Sequence, residues 1–125
     1  MSHKILVVDD DILVLEALQQ LLTSAGYEVR IATRGREALD ILDQEHFDLL
    51  ILDVVMPKMT GYDVCKEVRK RDAMSKVKII MLTAKTEPRD VSIEEKYDCN
   101  LYLTKPIDPG RLKELVRDTL EDPTQ

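Results

Sequence analysis

Four short apolar runs recur along the chain, and each gives way to a polar residue. Residues 5–8 run into Asp9, Asp10 and Asp11, residues 49–52 into Asp53, residues 79–82 into Thr83, and residues 101–104 into Lys105 and Pro106. Runs this short, alternating with helical periodicity, predict parallel strands buried on both faces. The first strand is read over 4–9, and a helix over 11–25 carries Leu15, Leu18 and Leu22 as its core stripe. Gly26 is the expected residue after that helix, where a left-handed backbone is needed. A second strand follows over 27–32, and Thr33 is the expected N-cap of a helix that turns Ala38, Leu39 and Leu42 inward. The third strand is read over 47–53, followed by a loop over 54–61 punctuated by Pro57 and Gly61. A helix over 62–71 has Val64 and Val68 on one face, and the fourth strand covers 77–83.

The segment 86–97 is the least regular predicted helix, because it contains Pro88 and many charges and offers only Val91, Ile93 and Tyr97 for burial. The fifth strand is 101–104. In the last helix Asp108 is the expected cap, Pro109 the first residue, and Leu112, Leu115, Val116 and Leu120 the apolar face. The pattern is (βα)5 over residues 1–121, with 122–125 a polar tail or the start of a linker. Right-handed crossovers make this an α/β fold, a doubly wound parallel five-stranded sheet of flavodoxin-like order 2-1-3-4-5. That order sets the first and third strands side by side at the switch point, where such sheets bind ligands beyond their carboxyl ends. Asp9 and Asp10 then lie next to Asp53.

The bulk composition narrows the picture. At 125 residues the chain is expected to form one domain, and 44% hydrophobic with 34% charged residues fits a soluble globule. A net charge of −6 provides no basic stripe for direct nucleic-acid contact. No apolar run reaches membrane-spanning length, and the N-terminus lacks a signal-peptide layout. Cys65 and Cys99 form no motif and are expected as free thiols in a reducing, cytoplasmic setting. His3 and His46 have no ligand-spaced neighbour and read as surface residues.

Carboxylates gathered on one rim raise one another's pKa unless a cation intervenes. A ligand set made only of oxygens, with no histidine or cysteine, favours Mg²⁺ or Mn²⁺. The plainer reading is a solvated strand end with one helix cap. Against it stands Asp53, which ends a wholly apolar strand, a costly place for a carboxylate with nothing bound to it. A carboxylate can attack phosphorus to give an acyl phosphate. Lys105 could meet a phosphoryl oxygen as a point charge and Thr83 could donate to another. A cis bond between Lys105 and Pro106 would aim the lysine inward. Singly, Lys105 also reads as an exposed lysine and Thr83 as a turn residue; jointly, at neighbouring strand ends, they read as a site.

With those motifs in place, ILVVDDD at 5–11, LILDVVMPKMTGYDV around Asp53, IIMLTAK around Thr83 and LYLTKP ending at Lys105 and Pro106, the chain resembles the receiver domains of two-component response regulators, of the chemotaxis-regulator type. The resemblance covers essentially the whole chain. It implies that Asp53 accepts a phosphoryl group from a histidine kinase or phosphotransfer protein. It implies that Asp10, Asp53 and the backbone carbonyl of Val55 bind Mg²⁺, with Asp9 acting through water. It gives Lys105 a phosphoryl contact and makes Thr83 and Tyr102 switch residues behind the face formed by segment 86–97, the fifth strand and the last helix. Asp11 is left as the cap of the first helix. No organic cofactor and no turnover of a separate substrate are implied. Output would pass to a downstream protein or a fused output domain.

The chain departs from the family pattern at Asp98 and Cys99, where a small Gly-Ala pair is common, and in its charged segment 86–100. Val55 and Lys85 stand at positions that tune phosphoryl lifetime in the family. Two other readings compete. One is a haloacid-dehalogenase-like phosphatase with Asp9 as nucleophile and Asp11 as acid/base, which the chain has little room for. The other is a receiver-like interaction module that is never phosphorylated.

Overall fold

The computed structural model describes residues 3–71, 76–83 and 99–121. In chain order the elements are β1 (Lys4–Val8), α1 (Ile12–Ser24), β2 (Glu28–Ala32), α2 (Gly35–Gln44), β3 (Leu49–Asp53), α3 (Gly61–Lys70), β4 (Lys78–Thr83), β5 (Leu101–Thr104) and α4 (Pro109–Glu121). The predicted helix over 86–97 lies outside the described residues, as do the departure at Asp98, the flanking Lys85 and the tail 122–125. The five strands form one parallel sheet in the order β2-β1-β3-β4-β5, as the sequence predicts.

The apolar runs are continuous because successive side chains serve opposite faces of the sheet. Leu6, Val8, Leu50, Leu52, Ile79 and Met81 pack with Ala38 and Leu39 of α2 and with Val64, Cys65 and Val68 of α3. Ile5, Val7, Leu49, Ile51, Ile80 and Leu82 pack on the other side with Leu15, Leu18 and Leu22 of α1 and with Leu112 and Val116 of α4. Each buried Val, Leu, Ile or Met side chain among them contributes roughly 1.5–3 kcal/mol. Burial on both faces holds for β1, β3 and β4 but not for β5, which lies at the sheet edge and leaves Leu101 and Leu103 half-buried and Thr104 exposed.

Helix ends follow their capping chemistry. The Asp11 carboxylate accepts from the Leu13 amide at 3.0 Å, which starts α1. Gly26, at φ 97°, turns the chain after it. Asp108 accepts from the Arg111 amide at 2.9 Å, ahead of Pro109 in the first turn of α4. Thr33 is not the N-cap of α2. Arg34 holds that position without a side-chain bond, while the Glu37 carboxylate accepts from the Thr33 amide at 2.9 Å. The Thr33 hydroxyl donates to that same carboxylate at 3.3 Å, so it is turned to the glutamate and not to a helix amide. On α4 the buried stripe is Leu112, Val116 and Thr119, with Leu115 and Leu120 only half-buried. Among the described residues no helix is long and apolar enough to cross a membrane.

Candidate functional site

The register brings the strand ends level. Val8 pairs with Leu52, Asp53 with Leu82, and Thr83 with Thr104. Asp9 therefore leaves β1 beside Asp53, and Lys105 leaves β5 just beyond Thr83. The Lys105 amide donates to the Thr83 carbonyl at 2.7 Å, and the Val54 amide to the Leu82 carbonyl at 2.8 Å, so the ladder continues into the loops that carry the site.

Asp9, Asp10 and Asp53 each offer a carboxylate oxygen, and the three lie within 4.8 Å of one another. Asp9 and Asp53 are 1% and 5% exposed, whereas Asp10 faces solvent. Two buried carboxylates this close are tolerable because Lys105 bridges them, its Nζ standing 2.8 Å from Asp9 Oδ2 and 3.2 Å from Asp53 Oδ1. The other oxygen of Asp9 accepts from the Asp11 amide at 2.9 Å, so both are occupied by protein donors. The bond between Lys105 and Pro106 is cis.

The electrostatics follow from this packing. Burial and then the Asp9 charge raise the Asp53 carboxyl to about 6, with Lys105 pulling the other way. Burial acts to lower the Lys105 pKa, but the hydrogen bond and charge of Asp9 and the charge of Asp53 outweigh it, and the net shift is upward. At neutral pH the site is therefore an ionised carboxylate, more basic than usual, held against an ammonium.

The other expected positions are also placed. Thr83 is fully buried at the end of β4. Tyr102 is 1% exposed, turned inward, with its hydroxyl 2.7 Å from the Tyr62 hydroxyl. Val55 stands in the loop after Asp53 with its residue 59% exposed. Cys65 is buried, Cys99 half-buried, and neither is in a disulfide.

Sequence reasoning passed over the device that shapes the loop after Asp53. Thr60 and Asp63 form a capping box: the Asp63 amide donates to the Thr60 hydroxyl at 3.2 Å and the Thr60 amide to the Asp63 carboxylate at 3.0 Å. T-x-x-D is a readable capping signature, here hidden by the reading of 54–61 as loop. Gly61 opens α3, and a Cβ there would stand 2.4 Å from the Asp53 carbonyl oxygen. Lys58 takes a left-handed φ of 70° in the same loop.

The switch point of this doubly wound sheet thus carries an acid cluster, with lysine and threonine on the adjoining strand ends. The model of the response regulator receiver domain matches residues 5–117, and the chain belongs to that family, a module of two-component signalling. It is 44% identical over 126 residues to the probable transcriptional regulator ycf27 of Cyanophora paradoxa, covering 98% of this chain and 52% of that protein. The crystallised chemotaxis protein CheY4 of Vibrio cholerae is 35% identical with a TM-score of 0.89, covering 95% of this chain and 99% of that one. The receiver domain of sensor histidine kinase PA1611 from Pseudomonas aeruginosa PAO1, solved with a magnesium ion coordinated in its active-site cleft, is 25% identical with a TM-score of 0.87, covering 98% of this chain and 100% of that one. The chain spans about half the length of the curated relatives it matches.

Proposed function

We propose that Asp53 accepts a phosphoryl group from a phosphohistidine of a histidine kinase or phosphotransfer protein, and that the resulting acyl phosphate changes the face behind Thr83 and Tyr102. The observation that carries this reading is Asp53 itself, a buried carboxylate raised to about 6 yet bridged to an ammonium, at the end of the central strand. An Asp53 oxygen attacks phosphorus while the phosphorus–nitrogen bond breaks and its electron pair returns to the imidazole. Lys105 exchanges its contact with Asp53 for a phosphoryl oxygen and keeps Asp9 in place. Thr83 donates its hydroxyl to a second oxygen. Water later attacks the acyl phosphate and releases inorganic phosphate, so the chain turns over no separate substrate.

The all-oxygen cluster fits Mg²⁺ or Mn²⁺. Asp10, Asp53 and the Val55 carbonyl would hold the ion, with Asp9 acting through water because its oxygens already accept from Lys105 and the Asp11 amide. When bound, the ion neutralises phosphoryl charge and orients the donor. Ile12, Leu13 and Val55 are exposed apolar residues at the start of α1 and in the loop after Asp53, a surface suited to a protein donor rather than a free nucleotide. The receiver module is taken as residues 1–121, acting in the cytoplasm on a downstream protein or fused output domain. The relatives bear the names of transcriptional regulators, so DNA contact falls to that output part and not to this acidic domain.

The test is intact mass after incubation with acetyl phosphate, with and without Mg²⁺, on the wild type and Asp53→Asn. The expected result is a Mg²⁺-dependent gain of one phosphoryl group, labile to hydroxylamine and absent from the variant. A gain that survives Asp53→Asn would move the nucleophile to Asp9 and overturn the assignment.

A further inference from the structure

Tyr62 is the first residue after Gly61 in α3, and its placement is unusually constrained. The capping box of Thr60 and Asp63 fixes the helix start around it. Gly61 presses on the backbone of Asp53 so closely that no Cβ fits, and the Gly61 amide donates to the Val54 carbonyl at 3.0 Å. The loop after Asp53 and the first turn of α3 therefore move together. From that turn the half-buried Tyr62 ring packs against the core, and its hydroxyl meets the hydroxyl of Tyr102 at 2.7 Å. Tyr102 is 1% exposed, and a phenol buried that deeply needs a partner for its hydroxyl.

We propose that Tyr62 is a positioning residue that latches Tyr102 inward before any phosphoryl group arrives, coupling the loop after Asp53 to β5 independently of Thr83. A hydroxyl pair of this kind exists only with Tyr102 turned in, so it stabilises that rotamer against any exposed one. If, as the proposed function has it, phosphorylation draws Tyr102 inward behind Thr83, the latch gives the unmodified domain a head start toward that state. The assignment of Tyr102 as a switch residue rests on the proposed function; the latch itself does not.

The experiment uses ring-¹³C-tyrosine-labelled chain without Mg²⁺ or phosphoryl donor, comparing wild type with Tyr62→Phe, which keeps the ring and removes only the hydroxyl. The reading is paramagnetic broadening of the Tyr102 ring signal by a soluble nitroxide. The expected result is broadening about fivefold greater in the variant, the population shift one net hydrogen bond sustains, with the amide spectrum of β1 and β3 unchanged. Equal broadening in the two proteins would overturn the latch. A second arm follows phosphorylation by acetyl phosphate with Mg²⁺, where Tyr62→Phe should be slower because a smaller fraction of the chains holds the inward rotamer. Equal rates would overturn the head start. Absence of phosphorylation in the wild type would refute the phosphoacceptor reading alone, since the first arm needs no phosphoryl group.

Discussion

Burial and the Asp9 charge hold the Asp53 carboxyl at about 6, so folding keeps a carboxylate ionised at neutral pH where water solvates it poorly. A carboxyl whose folded pKa lies above its unfolded one binds extra protons in the native state between about 4 and 6. Native stability therefore falls as pH rises through that window and stays low above it. Asp53→Asn removes the conflict. In metal-free buffer it should be more stable than wild type at pH 7–8 by about 1–3 kcal/mol, with the gap closing as pH falls towards 4. Urea melts across that range check it, and a constant gap would show that Asp53 is not the group titrating. Lys105→Ala should act oppositely. It exposes Asp9 and Asp53 to each other without their shared ammonium, yet spares the oxygen ligands. Mg²⁺ affinity should survive in calorimetric titration while phosphorylation by acetyl phosphate falls at least tenfold, the order of one lost positioned charge.

Between strand and helix, the close approach of Gly61 to the Asp53 carbonyl is the joint on which the site loop turns. Gly61→Ala would place a Cβ 2.4 Å from that oxygen, against backbone that cannot swing aside. Destabilisation of about 2–4 kcal/mol is expected, read as a lower urea midpoint at unchanged m. A shift under about 0.5 kcal/mol, the usual range for surface changes, would show that the loop relaxes freely. At this scale the sequence is legible where one local rule decides. Uninterrupted apolar runs mark β1, β3 and β4 because each lies inside the sheet, and Asp11, Gly26 and Asp108 mark helix ends because each supplies its own bond or turn. Three details escape that reading. Thr33 does not cap because both its amide and its hydroxyl are taken up by the Glu37 carboxylate. Leu115 yields to Thr119 because the buried row of α4 runs from Leu112 through Val116 to Thr119, at i, i+4 and i+7. The Tyr62–Tyr102 contact joins residues 40 positions apart, which no local pattern announces.

Over the whole molecule, two layers of helix clamp one sheet, and the acid rim sits where the winding direction reverses. The proposed cation should therefore report on the entire fold. A ligand bound only by the native state adds RT ln(1 + [L]/Kd), about 2.7 kcal/mol at a hundredfold excess over Kd. Mg²⁺ should raise the wild-type Tm accordingly, and the rise should shrink in Asp53→Asn, which lacks one charged ligand. Equal rises would place the ion elsewhere. The meeting of Asp9, Asp53 and Lys105 was legible because topology alone brings parallel strand ends together. The raised Asp53 carboxyl was not readable, since its burial depends on the packing of all the elements around it.

The ammonium bridging Asp9 and Asp53 comes from far along the chain, since Lys105 lies 96 positions beyond Asp9. Translation at about 5–20 residues per second separates the two by roughly 5–20 s. Throughout that interval the emerging polypeptide holds its acids without their counter-charge, and the strand that leads into Lys105 has yet to pair. A chain broken off before that lysine lacks the ammonium that bridges Asp9 and Asp53. One site is thus drawn from both ends of the fold, and its charge balance is complete only once the last strand is in place.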